Sequence, residues 1–128
     1  MLRNAVVETD TDKPQEPELL EVVTSTTDGV TVVSAAGEID HGSAGHLVRA
    51  LDVSGLGERP RVIVDMAGVT FIDSSGINVL LAAHRDLTAA DGWLRLANAS
   101  AYVLRTLQIV GIDTLVPCCG SVREALTA

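Results

Sequence analysis

Asp73-Ser74-Ser75-Gly76 crowds a carboxylate, two hydroxyls and a glycine into four consecutive positions. Such a run could supply a serine nucleophile or a serine that accepts a phosphoryl group. A nucleophile needs a general base within hydrogen-bond reach and an orienting group behind it. His84 lies about three helical turns downstream, roughly 15 Å along the axis, too far to activate Ser74. His41 approaches only through the fold, and neither serine sits in a G-x-S-x-G elbow. No Walker-type loop is present, so no nucleotide site is advertised. The expectation is a chain without catalytic residues of its own, whose serines either cap a helix or accept a group from another protein. Phosphorylation would add about −1.5 to −2 charges and three strong acceptor oxygens.

The flanking residues say where that serine sits. Val62-Ile63-Val64 is a branched apolar run suited to a strand buried on both faces of a largely parallel sheet. After Ser74, apolar residues recur at Ile77, Leu80, Leu81 and Leu87, the spacing of a helix with one stripe toward a core. The period switches at residues 73–76, and Asp and Ser are the types that satisfy the orphan N–H groups of a first helical turn. The polar run therefore belongs at a helix N-terminus near the surface. The outward stripe is then Ser75, Asn78, Val79, Ala82 and Asp86, with members small and apolar enough to let another surface approach. Dipole and free N–H groups at the helix start would favour a phosphate, and Asp73 would oppose it, each by about 1 kcal/mol or less.

The rest of the chain supports this junction. Residues 1–17 are acidic and Pro-interrupted and read as a disordered tail, leaving 18–128 as one domain. Leu19 to Ser25 and Val30 to Ala36 form an antiparallel hairpin about the Asp28-Gly29 turn. Gly37-Glu38-Ile39-Asp40 is followed by a helix over Ala44 to Val53 with Ser43 as cap. Asp40 either orders its own turn or forms a wall of a partner site. The central strand and its helix, to about Ala90, lead through Asp91-Gly92 to a strand at Trp93 to Ala97. A helix over Ser100 to Val110 is closed by Gly111, and a strand at Leu115 to Cys118 precedes a helix over Ser121 to Leu126. The string ββαβαβαβα predicts an α/β domain, a mixed, mostly parallel sheet of four to five strands packed with about four helices.

Composition narrows the function. The 128 residues carry a net charge of −8 and no basic patch, which argues against direct binding of nucleic acid. No apolar run reaches the length of a bilayer span and the start lacks a signal-peptide apolar region, so a cytoplasmic protein without membrane contact is expected. Cys118 and Cys119 are adjacent, poor geometry for a disulfide, and they read as reduced and structural. Neither they nor His41 and His46 have metal-ligand spacing, so no metal or cofactor is expected.

Two stretches together, Gly37-Glu38-Ile39-Asp40 and Val69-Thr70-Phe71-Ile72-Asp73-Ser74-Ser75-Gly76-Ile77, resemble the signatures of STAS domains, and within them the bacterial anti-sigma-factor antagonists. The resemblance covers roughly residues 18 to 127. It implies phosphorylation at Ser74 by an anti-sigma factor that is itself a serine kinase, with a PP2C-type serine phosphatase restoring the unmodified form. It also implies partner binding through Asp40, Asp73, Ser75, Gly76, Asn78, Val79 and Ala82, and sigma-factor release when the unphosphorylated form binds. Asn78 and the His41-Gly42 pair fall where the family varies, which leaves the specific partner open. The alternative is a STAS scaffold or sensor module that binds a nucleotide or small ligand in a signalling assembly without direct sigma control.

Overall fold

The computed structural model describes residues 20–128. The expected acidic tail lies outside the described residues. β1 (Leu20–Thr27) and β2 (Val30–Ile39) pair antiparallel in unbroken register from Leu20 opposite Gly37 to Thr27 opposite Val30. Asp28 and Gly29 both adopt positive φ, 53° and 78°, the primed turn whose twist matches a two-residue hairpin. β3 (Arg61–Ile72), β4 (Trp93–Ala97) and β5 (Cys118–Cys119) follow in parallel, so the sheet runs β1-β2-β3-β4-β5.

α1 (Ala44–Ala50), α2 (Ser74–Ala89), α3 (Ala101–Val110) and α4 (Val122–Thr127) complete the domain. Leu47 and Leu51, then Ile77, Leu80, Ala83 and Leu87, then Val103 and Leu107, join Val62, Val64 and Met66 in one large cluster. α4 lies on the other side of the sheet, where Ala125, Val122 and Leu126 meet Val30, Ile63 and Ala97. The alternation along β3 explains this sorting, since successive side chains point to opposite faces. With few aromatics available, the interior is built of Leu, Ile, Val and Ala.

Several elements depart from the sequence expectation. β3 continues for 12 residues to Ile72 and does not stop near Val64. β2 supplies it with a partner as far as Ile39, and irregularities between Ser34 and Ala36 and between Gly37 and Glu38 absorb the slip in register. Just past the first irregularity, Gly68 lies against Ala36, whose Cβ would be 2.7 Å from a Cβ added there. α1 ends at Ala50. Asp52 then caps a 3-10 turn over Val53–Gly55 by accepting from the Ser54 N–H at 3.0 Å. The last strand is only Cys118–Cys119, because Pro117 has no N–H and offers its carbonyl alone, to Leu96 N–H at 2.9 Å. Leu115 is exposed, beyond a 3-10 turn at Ile112–Thr114. In α2, Ala83 takes an inward place and Leu81 is only partly buried.

The two cysteines are free thiols. Burial, followed by the charges of Asp113 and Cys119, pushes the Cys118 thiol up to about 11. Burial and Glu124 also raise Cys119. Since the thiolate is the reactive form, iodoacetamide at pH 8 should label Cys118 in the folded chain at least about tenfold more slowly than in the urea-unfolded chain. Equal rates would contradict this burial.

Candidate functional site

The site forms where β2 and β3 end side by side. Ile39 pairs with Ile72, and the Asp73 N–H donates to the Ile39 carbonyl at 3.1 Å. Asp40 and Asp73, far apart in the chain, thus follow directly on adjacent strand ends. This is the carboxyl edge of parallel strands, where open α/β sheets commonly place their ligands.

Asp73 itself caps α2. Its extended backbone and its Oδ1, which accepts from Ser75 N–H at 2.8 Å and Gly76 N–H at 3.3 Å, satisfy the first free donors of the helix. The local spacing allowed either Asp73 or a serine to cap; Ser74 is instead the first helical residue. Its side chain is exposed, and its hydroxyl makes no hydrogen bond among the described residues. Two of the N–H groups expected to greet a phosphate, those of Ser75 and Gly76, are therefore already taken by Asp73. Replacing Asp73 with Ala removes both bonds and should lower stability by about 1 kcal/mol, read as a lower urea midpoint at unchanged slope. An unchanged midpoint would deny Asp73 the capping role.

Asp40 is occupied in ordering its own turn, the first of its two readings. Its Oδ1 accepts from Ser43 N–H at 3.0 Å, while its N–H donates to Ser43 Oγ at 2.9 Å. Ser43, expected to cap α1 through its hydroxyl, makes no such bond. Its Oγ turns back to donate to the Glu38 carbonyl at 2.6 Å, and the residue is 3% exposed. The loop before α1 is thereby pinned to the end of β2. Among the described residues the other carboxylate oxygen of Asp40 makes no hydrogen bond.

Gly76 is buried and is not part of the surface. A Cβ there would come within 2.6 Å of Ile72 Cγ1 and 2.7 Å of Ile39 Cγ2, so the glycine lets α2 start directly on the strand ends. Asn78 is exposed, whereas Ser75, Val79 and Ala82 are half-buried. Val79 and Ala82 form one wall of a groove of about 280 Å³, together with Ala83 and Asp86. The opposite wall is Val48, Arg49, Leu51, Asp52 and Val53 from the end of α1 and the 3-10 turn. That second wall was not among the expected site residues. No signal in the sequence marked it: helical spacing groups Val48 inward with Leu47 and Leu51, whereas Val48 is 51% exposed and turns away from the core that holds the other two. Asp86 makes a loose surface pair with Arg85 at 3.7 Å, of little energetic weight.

Residues 21–125 match the STAS domain family. The chain belongs to that family. A solved anti-sigma factor antagonist from Mycobacterium paratuberculosis superposes on this STAS domain with a TM-score of 0.77. The two are 27% identical, over 89% of this chain and 97% of the other. The anti-sigma F factor antagonist of Paenibacillus polymyxa is 26% identical over 77% of this chain and 86% of its own length. The anti-sigma-B factor antagonist of Listeria monocytogenes is 28% identical, over 76% and 84% respectively. Among the described residues of the STAS domain, no helix is long and apolar enough to cross a membrane.

Proposed function

We propose that this STAS domain is an anti-sigma-factor antagonist, binding an anti-sigma factor serine kinase when unmodified and releasing it once Ser74 is phosphorylated. The observation that carries this reading is the state of Ser74, exposed on the first turn of α2 with an uncommitted hydroxyl. In the transfer, Ser74 Oγ forms a bond to the γ-phosphorus of the kinase's ATP and ADP leaves. The serine proton passes to a base of the kinase. A PP2C-type serine phosphatase reverses the step. The names borne by the relatives support the same assignment.

The binding surface consists of the free side of Asp40, Asp73, Ser75, Asn78, Val79 and Ala82, extended by the groove wall at Val48 and Val53. Gly76 contributes by keeping the helix start low. The chain acts as substrate and regulator in the cytoplasm, needs no cofactor and touches neither DNA nor membrane, in keeping with its net charge of −8.

Incubation with ATP and candidate anti-sigma kinases should add the mass of one phosphate to the peptide carrying Ser74, and Ser74→Ala should abolish the gain while retaining kinase binding. No modification by any kinase tested, with binding indifferent to Ser74→Asp, would favour the scaffold or sensor role.

A further inference from the structure

The two edges of the sheet are unlike. β5 has two residues and is flanked by α4, a short edge of the kind that resists further pairing. β1 has eight, Leu20–Thr27, and among the described residues pairs only with β2. Nothing in β1 blunts its free side. Glu21 is its sole charge, no proline interrupts it, and its register with β2 has no bulge. Val23 is 57% exposed, and Thr24, Ser25, Thr26 and Thr27 are exposed too.

We propose that β1 pairs antiparallel with β1 of a second copy, joining two five-stranded sheets into one. The register follows from the hairpin. Thr27 and Val30 flank the two-residue turn and bond to one another, so alternation turns the backbone N–H and C=O groups of Leu20, Val22, Thr24 and Thr26 toward the free edge. A two-fold axis normal to the sheet keeps each face continuous and requires the outward groups of the two copies to meet. Centred on Thr24, it sets Thr24 against Thr24 of the second copy, Val22 against Thr26, Val23 against Ser25 and Glu21 against Thr27. No like charges face each other across this register, and exposed Val23 gains cover. The self-complementary strand fits a second copy better than an arbitrary peptide, because one sequence satisfies both sides of an isologous contact. β1 lies two strands from β3, so Ser74 stays accessible in each copy.

The test uses the full chain carrying Cys118→Ser and Cys119→Ser. Thr24→Cys added to it should form an intermolecular disulfide on oxidation, since directly opposed residues lie about 5.5 Å apart. Thr26→Cys, whose copies would be offset by four residues, roughly 13 Å, should not. In the otherwise natural chain, sedimentation should detect a concentration-dependent dimer. Thr24→Pro, which removes only an edge-facing N–H from each copy, should raise its dissociation constant about tenfold or more and leave the melting temperature nearly unchanged. A monomer at all concentrations to about 1 mM, equal cross-linking at residues 24 and 26, or a dimer indifferent to Thr24→Pro would each overturn the pairing.

Discussion

Phosphorylated at Ser74, the domain is expected to lose about a thousandfold in affinity for its anti-sigma partner while its own melting temperature stays where it was. The second half of this expectation rests on the capping geometry. Asp73 already holds the N–H groups of Ser75 and Gly76, so the phosphate finds those two donors occupied and remains in solvent beside an exposed helix start. Attraction to the helix dipole, about 0.3 to 1 kcal/mol, is offset by repulsion from Asp73 of similar size. The first half concerns the partner. A surface closing over residues 73–79 must strip water from a dianion next to a carboxylate, and an imperfectly paired buried charge costs several kcal/mol. Ser74→Asp should shift affinity the same way by a smaller factor, and Ser74→Ala should bind normally. Calorimetric titration of the partner with the two forms, alongside thermal unfolding of each, decides the matter. Equal affinities would end the switch; a large drop in melting temperature would move its cause from the interface into the fold.

Gly76→Ala should destabilise the domain by about 1 to 3 kcal/mol. The added methyl would need the space held by Ile72 Cγ1 and Ile39 Cγ2, at 2.6 Å and 2.7 Å. Both isoleucines are almost fully buried, at 3% and 0% exposure, and neither can swing into solvent. Relief requires α2 to lift from the ends of β2 and β3, lengthening the Asp73 to Ile39 bond and altering how Ser74 is presented. Weaker phosphoryl acceptance should therefore accompany the lower urea midpoint. Gly55→Ala serves as the control, because nothing lies within 4 Å of a Cβ at that position; its effect should stay within about 0.5 kcal/mol. Equal midpoints for the two variants would contradict the close approach at Gly76.

Features governed by neighbours a few residues apart were legible. The Asp28-Gly29 turn took its positive-φ form, Ser100 caps α3 by accepting from Val103 N–H at 3.2 Å, and Gly111 closes it in the left-handed region. The change of period at residues 73–76 does mark a helix start beside a buried strand. Ser43 was misread because a serine before a helix has two uses within its reach. Only the position of the Glu38 carbonyl, set by the end of β2, selects the backward bond. The length of β3 was hidden for a related reason, since Met66 to Ile72 has no strict alternation and is strand only where β2 runs beside it.

Sequence by itself determined the class of fold, the order of its elements and the serine that stands at the junction, because hydrophobic period and turn chemistry act over a few residues. Tertiary structure alone decided that Asp40 lies beside Asp73, that Gly76 faces inward against two isoleucines, and that α1 supplies a second wall to the groove on α2. Apart from the contact of Gly76 with Ile72, those relations join residues some thirty or more positions apart. They depend on strand register and on the bulges that shift it, which are fixed by the summed packing of the whole sheet and are carried by no short stretch of chain.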